Sequence, residues 1–170
     1  MIIRKTEKND INRIMSVFDE ARGTMAKLGI DQWQDGYPTR EIAESDVELS
    51  RSYVVEIDGE VRATCVLQLG GEPNYDVIEG GEWLSGNENR DYLAIHRVAI
   101  AVASRGRGIA ERMLAYATDL ARERELSSIR IDTHEGNIVM RRMLEKNNFT
   151  YCGVIYIENG DARVAYERII

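Results

Sequence analysis

The chain has 170 residues, of which 44% are hydrophobic and 30% charged, and its net charge is −7 at neutral pH. This size and composition favour a single domain over residues 1–170 with its own buried core, and the acidic balance disfavours nucleic acid as a partner. No apolar run is long enough to span a membrane and the N-terminus lacks a secretory signal, so we expect a cytoplasmic protein without a membrane partner.

The cysteines and histidines give little sign of a redox or metal site. Cys65 and Cys152 each lie in an apolar, strand-like stretch. This favours two reduced core thiols, although a paired or catalytic role stays open. The two histidines and two cysteines are widely scattered, and their spacing predicts no metal-ligand set.

The first fifty residues predict a strand followed by two helices. Residues 2–5 form a short apolar strand, and residues 11–28 place apolar side chains every three or four positions, as one buried helix face requires. We expect Gly23 to weaken or split this helix and Gly29 to end it. Thr39 is placed to cap a second, short helix.

The next part predicts two strands and then a long connection. Residues 53–57 and 61–69 are predicted strands joined at Asp58-Gly59, a dipeptide typical of a tight hairpin turn. Residues 70–91, called the excursion below, hold six acids and one base, as do residues 31–49. A connection of this length inside a compact domain is usually functional or disordered.

A strand and a helix meet at a glycine-rich turn near the middle of the chain. Residues 92–101 are a predicted strand, and residues 105–124 are a predicted helix that begins in the sequence RGRG. Such a turn directs several backbone N–H groups and the positive end of a helix dipole at one point, and its arginines add charge there. The pattern predicts an anion-binding turn suited to a phosphorylated ligand.

The last part of the chain predicts one helix among three strands. Residues 128–133 are an expected strand, residues 137–146 a short helix, and residues 149–157 and 163–169 two strands around the Asn159-Gly160 turn. The whole order is β-α-α-β-β-β-α-β-α-β-β. It predicts an α/β (mixed α+β) fold with a mixed, mostly antiparallel sheet of about six to seven strands flanked by helices.

Two motifs of this sequence resemble the GNAT N-acetyltransferase superfamily. The stretch RGRGIA at residues 105–110 fits the R/Q-x-x-G-x-G/A turn of that superfamily. The stretch NIVMRRMLEKNNF at residues 137–149 resembles its asparagine followed by LYEK-GF. The order of elements is similar over nearly the whole chain. The resemblance implies a GNAT-like sheet and an enzyme that uses acetyl-CoA.

The resemblance also implies which residues bind acetyl-CoA. In the superfamily, backbone N–H groups of the turn bind the pyrophosphate, the preceding strand pairs with the pantetheine arm, and amides near that strand polarise the thioester carbonyl. The matching residues here are Arg105, Gly106, Arg107, Gly108, Ile109 and Ala110 in the turn, Val98, Ala99 and Ile100 in the strand, and Asn137 and Met140 in the later helix.

The acceptor amine must lose its charge before it attacks, because an alkylamine with a pKa of about 10.4 is almost fully protonated at pH 7. A general base is therefore expected. His96 matches one of two active-site histidines of arylalkylamine N-acetyltransferases. Ala94 occupies the position of the other histidine. A purely structural role for His96 stays open. Asp132 matches a catalytic Glu of ribosomal-protein-alanine acetyltransferases. His134 lies on the same strand face as Asp132 and is a third candidate.

The general acid of the superfamily has no counterpart at its usual position. Leu144 stands where many members have a tyrosine that protonates the leaving thiolate. Tyr92, Tyr151 and Tyr156 are open substitutes. The thiolate, with an ordinary thiol pKa of about 8.5, can also leave without strong acid assistance.

The acceptor side is predicted from aromatic residues within the two acidic segments. Trp33, Tyr37, Glu82 and Trp83 are the expected acceptor contacts. Carboxylates beside aromatic faces favour a cationic amine. Ordinary packing and an acidic solvated surface are the alternatives.

We therefore expect an acetyl-CoA-dependent N-acetyltransferase that acts on the primary amine of a small cationic molecule by direct attack. The alternatives are a protein N-terminal or lysine acetyltransferase and a non-catalytic acyl-CoA-binding module. A nucleotide-binding P-loop is excluded, because no Lys-Ser/Thr follows the glycines. The C-terminal strands offer an edge through which a homodimer could form.

Overall fold

The computed structural model describes all 170 residues, and seven strands and four helices follow the predicted order. The strands are β1 Ile2–Lys5, β2 Ser52–Ile57, β3 Glu60–Gln68, β4 Tyr92–Ile100, β5 Ser128–Thr133, β6 Thr150–Tyr156 and β7 Ala162–Ile169. The helices are α1 Ile11–Lys27, α2 Arg40–Glu48, α3 Ile109–Glu123 and α4 Ile138–Lys146.

The strands form a seven-stranded sheet in the order β1-β2-β3-β4-β5-β7-β6. The pairs β1–β2, β2–β3, β5–β7 and β6–β7 are antiparallel, whereas β4 and β5 are parallel. This arrangement confirms the predicted mixed, mostly antiparallel sheet flanked by helices. The β4–β5 register covers only residues 92–95 and 128–131, so His96 is the first β4 residue beyond it.

The chain forms two compact units, and residues 1–67 and 97–113 make up the first. In this unit the apolar face of α1 packs on strand residues that include Val54, Val61 and Ala99. The helix runs unbroken over Ile11–Lys27, so the expectation that Gly23 splits it is wrong. Buried side chains before and after Gly23 stabilise the helix by tertiary packing, which outweighs the low propensity of one glycine.

Helix α3 begins at Ile109. The predicted start at Arg105 is therefore wrong. Gly106 and Gly108 have φ angles of +73° and +71°. These left-handed conformations are incompatible with an α-helix and are open mainly to glycine, so the turn completes its course before the helix starts.

Residues 68–96 and 114–170 make up the second unit, in which the excursion is docked. Its Tyr75 and Trp83 belong to a buried cluster with Tyr92 and Cys152. Glu79 pairs with Val154 of β6 through an isolated β-bridge. The excursion is therefore an ordered cover on the sheet, and the alternative of disorder is wrong.

Two glycines allow this close approach between the excursion and β6. A Cβ atom on Gly81 would lie 2.0 Å from the carbonyl oxygen of Cys152, and one on Gly153 would lie 2.6 Å from that of Glu79. Only a residue without a side chain fits at either position.

Strand β6 ends the strand order, and its Tyr151 and Tyr156 are exposed. A homodimer through the C-terminal strands stays a prediction, and so does a single acetyltransferase domain over residues 1–170.

Candidate active site

The turn between β4 and α3 presents unpaired backbone donors. Because α3 starts at Ile109, its first N–H groups have no intrahelical acceptor, and the first helical bond runs from Arg112 N to Gly108 O. The N–H groups of Gly108, Ile109 and Ala110 donate to no other protein atom. The positive φ angles on either side of Arg107 are also a feature of known anion-binding turns.

The two arginines of the turn have different surroundings. Arg105 turns back on its own unit: its Nε donates to Ile100 O at 3.3 Å and its Nη1 to Thr24 Oγ1 at 3.0 Å. Arg107 is exposed and makes no hydrogen bond or ion pair with the protein. Arg105 therefore holds the turn in place, whereas the Arg107 guanidinium is open to an anion.

The predicted pantetheine strand has an unusual backbone conformation just before Val98. Arg97 has a φ of +52° in the middle of β4. After it, Ala99 is buried in the core of the first unit, whereas Val98 and Ile100 are half-buried. Val98 and Ile100 thus share the less covered face of the strand.

A buried ion network that the sequence did not indicate fixes Arg97. Its Nε and Nη2 donate to the two carboxylate oxygens of Asp46, at 2.7 and 2.8 Å, and Asp46 is 1% exposed. Arg51 Nε donates to the same carboxylate at 2.8 Å. Arg97 Nη1 also donates to the Tyr37 hydroxyl at 2.5 Å. Tyr37, a predicted acceptor contact, thereby connects its loop to β4.

The two other aromatic acceptor predictions have different environments. Trp33 is half-buried and its ring meets Phe18 edge-on, with the centroids 5.8 Å apart. Trp83 is 1% exposed and donates through Nε1 to Tyr75 O at 2.9 Å, so its ring is a core element of the second unit and offers almost no surface to an acceptor. Glu82, next to it, is exposed.

His96 of the second unit lies against a carboxylate that the sequence did not single out. Its Nε2 is 3.2 Å from Glu72 Oε2, and the two side chains are 14% and 13% exposed. Nε2 is buried, and it lacks a well-aligned hydrogen bond. Nδ1 has no protein partner and is not among the buried unpartnered atoms. The ring therefore has one nitrogen close to a carboxylate and the other open.

Glu72 is ionised in this environment. Burial opposes the charge, but contacts from His96 and Asn74 outweigh it, and the net effect is a lowered pKa of the Glu72 carboxyl. A charged carboxylate next to a nitrogen favours the tautomer with the proton on that nitrogen.

Asp132, the second predicted base, is bound by another excursion residue. The Tyr75 hydroxyl donates to Asp132 Oδ1 at 2.7 Å, and the Tyr75 ring lies 5.9 Å from the His96 ring. Burial first, and then the charge of Asp132, raises the pKa of Tyr75 well above its usual value, so the hydroxyl stays protonated and donates. Tyr75 thus contacts both His96 and Asp132.

His134, the third predicted base, has no free lone pair in its neutral form. Its Nδ1 accepts a hydrogen bond from Gly136 N at 3.0 Å. The ring proton of the neutral imidazole must then be on Nε2. His134 is suited to holding the loop before α4 and poorly suited to taking a proton.

A buried ion pair anchors the excursion over β5. The Arg130 Nε donates to Glu167 Oε1 at 2.9 Å, and both side chains are fully buried. Ser85 of the excursion donates a hydrogen bond from its hydroxyl to the same oxygen at 2.6 Å.

The guanidinium of Arg130 also contacts two aromatic rings. It lies 4.3 Å from the Trp83 ring centroid and 4.1 Å from that of Tyr92. This cluster stabilises the segment that carries Glu72 and Tyr75.

We expect Glu167→Gln to lower the free energy of unfolding by about 3 to 5 kcal/mol, because it leaves the Arg130 charge buried without a carboxylate. Burial opposes ionisation of Glu167, but bonds from Ser128, Ser85 and Arg130 lower its pKa below the ordinary 4.5. The stabilisation is therefore complete above about pH 4.5 and is lost as the pH falls through the folded-state pKa.

Urea denaturation of the variant at pH 7 and at decreasing pH measures both effects. The double variant Arg130→Met/Glu167→Met is the control and should lose less than the single variant, since no unpaired charge remains. A single variant as stable as the unmodified protein would contradict the role of this pair.

Three residues singled out by the second motif lie at the start of α4 or within it, in the second unit. Asn137 caps the helix, and its Oδ1 accepts from Met140 N at 3.2 Å. This leaves the Asn137 Nδ2 group available to a ligand. Leu144 is fully buried and offers no proton, so α4 supplies no general acid at this position.

The open substitutes for the general acid differ in exposure. The Tyr92 hydroxyl is in the buried cluster and accepts from Glu72 N at 2.8 Å. Tyr151 and Tyr156 are exposed on β6, and the Tyr156 hydroxyl donates to Glu79 Oε2 at 3.2 Å. None of these contacts singles out one tyrosine as the acid.

The cysteines are buried and unpaired. Burial raises the pKa of Cys65 to about 12, and burial followed by the Glu167 charge raises that of Cys152 to about 11. Both thiols stay protonated and are poor nucleophiles. No group of three or more His, Cys, Asp or Glu side chains is arranged to hold a metal ion. None of the helices combines the length and apolar character needed to cross a bilayer.

Comparison with known proteins decides the family. The model of the Acetyltransferase (GNAT) family matches residues 13–149, a range that includes β4, the glycine turn and α4. The chain belongs to the GNAT acetyltransferase family. No curated protein sequence matches it.

Solved structures have the same fold as this GNAT acetyltransferase. A GNAT-family acetyltransferase from Streptococcus agalactiae is 37% identical with a TM-score of 0.88, over 99% of this chain and 95% of that one. The ribosomal-protein-alanine N-acetyltransferase of Brucella melitensis is 18% identical with a TM-score of 0.73, over 100% of both chains. The PaiA N-acetyltransferase of Thermoplasma acidophilum, in complex with coenzyme A, is 14% identical with a TM-score of 0.74, over 99% and 98%.

Family membership confirms three predictions from the sequence: the GNAT resemblance, an acyltransferase, and acetyl-CoA as the co-substrate of the family. The unpaired N–H groups of residues 108–110 and the open Arg107 guanidinium fit the phosphates of such a co-substrate.

Proposed function

We propose that this GNAT acetyltransferase moves the acetyl group of acetyl-CoA to the primary amine of a small cationic molecule, with His96 as the general base. The observation that carries the proposal is the pair of His96 and Glu72, which leaves Nδ1 with an open lone pair. Nδ1 takes the proton of the attacking amine as the new N–C bond forms. The C–S bond of the thioester then breaks, and CoA leaves as a thiolate.

For acetyl-CoA we propose contacts in each unit separately. In the first unit, the N–H groups of residues 108–110 and Arg107 bind the pyrophosphate, and residues 98–100 contact the pantetheine arm. In the second unit, Asn137 contacts the pantetheine through its Nδ2 group, and Met140 lies one helical turn further on. Arg105 takes part by holding the turn.

For the remaining polar candidates we propose supporting roles. Asp132 fixes the Tyr75 hydroxyl, whose ring packs beside His96. His134 holds the loop before α4 and does not take the proton. Trp83 supports the excursion from the core, and Trp33, Tyr37 and Glu82 remain the proposed acceptor contacts.

The cationic acceptor is supported by charge. Six carboxylates and one arginine lie within the excursion, and several of them, including Glu79 and Glu82, are exposed. We expect Glu79→Gln/Glu82→Gln to raise the KM for a diamine a few-fold at low salt, because a surface of clustered negative charges attracts cations. The increase in KM should be smaller at about 0.5 M salt, which screens this attraction. Glu123→Gln at the exposed end of α3 is the control. A KM unchanged at low salt would show that these acids are only a solvated surface without a role in acceptor binding.

The function as a whole is tested by thiol release from acetyl-CoA with a panel of amines. Turnover with polyamines, arylalkylamines or aminoglycosides supports the proposal. Turnover only with peptides favours a protein acetyltransferase, and tight CoA binding without turnover on any amine favours an acyl-CoA-binding module.

A cytoplasmic location is also a proposal. It is supported by Cys65 and Cys152, which are both free thiols, as is usual in a reducing compartment.

A further inference from the structure

We infer that Glu72 is a positioning residue for His96, which fixes the imidazole tautomer so that Nδ1 is the basic atom. This inference rests on the proposed function, because it assigns His96 the role of base. It concerns a residue of the excursion that neither the sequence motifs nor the family assignment connects with catalysis.

The two carboxylate oxygens of Glu72 have different tasks. Oε1 accepts from the backbone N and the side-chain Nδ2 of Asn74, at 3.2 and 2.9 Å. This caps the short 3₁₀ turn at Pro73–Tyr75. Oε2 faces His96 Nε2 at 3.2 Å and accepts from Gln68 Nε2 at 3.3 Å. Oε1 therefore caps the turn of the excursion, and Oε2 places its negative charge 3.2 Å from the imidazole nitrogen.

The backbone around Glu72 is also held, so that its carboxylate cannot easily turn away. The Glu72 N–H donates to the Tyr92 hydroxyl at 2.8 Å, and Tyr92 is fully buried in β4. Four residues later in β4 lies His96 itself. Glu72 is thus fixed to the same strand as the imidazole it contacts.

A purely structural role is the rival explanation for Glu72. In that case its carboxylate would serve only as the cap of the 3₁₀ turn, and any side chain with an oxygen at the Oε1 position would replace it. The two explanations differ in what they require at the Oε2 position. The cap does not use that atom, whose other contact is the bond from Gln68, whereas control of the tautomer requires an acceptor there.

Glu72→Gln separates these roles, because glutamine has the same shape and one acceptor oxygen. The two N–H donors of Asn74, at 3.2 and 2.9 Å, outweigh the single donor of Gln68, at 3.3 Å, and favour that oxygen at the Oε1 position. The new amide NH₂ group then points at His96 Nε2 and donates to it. The ring proton moves to Nδ1, and the lone pair needed for catalysis is lost.

We expect Glu72→Gln to lower kcat by roughly 10²- to 10⁴-fold, the usual contribution of a general base, while the KM for acetyl-CoA stays within about twofold. Glu88→Gln, an exposed carboxylate of the same excursion, is the matched control and should leave kcat unchanged. A kcat within twofold of the unmodified enzyme would overturn the inference in favour of the capping role.

The tautomer itself can be read from ¹⁵N chemical shifts of the imidazoles at a pH where they are neutral. The chain has only two histidines, and His134→Gln assigns the signals. We expect the proton of His96 on Nε2 in the unmodified protein and on Nδ1 in Glu72→Gln. An unchanged tautomer would overturn the inference.

This measurement needs no acceptor and no turnover. If no amine in the panel is acetylated, the proposed function fails. A tautomer change in Glu72→Gln would still show that Glu72 controls the tautomer of His96. If amines are acetylated and the tautomer does not change, the proposed function stands and the role of Glu72 fails.

Discussion

Replacing His96 with glutamine should lower kcat by roughly 10²- to 10⁴-fold, the range typical of a lost general base. Glutamine keeps polar contact with Glu72 but has no lone pair of suitable basicity at the Nδ1 position. The residual reaction depends on the small neutral fraction of the amine, which rises about tenfold per pH unit below its pKa of about 10.4. We therefore expect the difference in kcat between His96→Gln and the unmodified enzyme to become smaller as the pH is raised.

Thiol release at saturating acetyl-CoA over a range of pH measures this effect, and CoA binding by calorimetry shows whether the site is intact. His134→Gln separates the two histidines: because its Nδ1 is occupied by Gly136 N, we expect that variant to retain most of its kcat. Unchanged turnover in His96→Gln, or a larger loss in His134→Gln, would contradict the assignment of the base.

The second large effect is expected at Gly108, where glutamate should abolish measurable binding of CoA. Gly108 has a φ of +71°, and a Cβ there meets nothing within 4 Å, so a side chain would occupy the open space in front of the turn. The left-handed conformation costs a residue with a side chain roughly 1–2 kcal/mol. The added carboxylate also repels phosphate at the point where three N–H groups are open.

Gly160→Glu is the matched control for this prediction. Gly160 has a φ of +86°, and a Cβ there also meets nothing within 4 Å, but it lies in the turn between β6 and β7. Both variants suffer a similar backbone penalty and the same change in charge. The increase in melting temperature on adding CoA should persist in Gly160→Glu and disappear in Gly108→Glu. Equal CoA affinity in the two variants would refute the turn as the phosphate site.

The turn shows how far local patterns predict a site. Its glycines predicted a turn with open backbone donors, since positive φ angles and open N–H groups follow from the residues themselves. The sequence did not separate the roles of Arg105 and Arg107. Both are charged neighbours of the same glycines, and only the positions of Thr24 and Ile100 show that Arg105 is engaged within the protein.

The candidate base shows the limit of such patterns more clearly. Motif matching selected His96 and Asp132, and position on the strand added His134, without ranking them by surroundings. The ranking comes from Glu72, which contacts His96, and from Tyr75, which lies 57 residues from its partner Asp132 in the sequence. The length and acidity of the excursion indicated function, but six acids in one segment gave no reason to choose Glu72.

The sequence by itself determined the order and type of the elements, the glycine turn and the family. These depend on hydrophobic periodicity, turn residues and short motifs, which act over a few neighbouring positions. The tertiary structure alone decided that α1 runs through Gly23, that Trp83 is buried against Arg130, and that a carboxylate of the excursion reaches His96. Each of these depends on packing between segments distant in sequence, where one docked chain excludes water and fixes side-chain directions that no local pattern specifies.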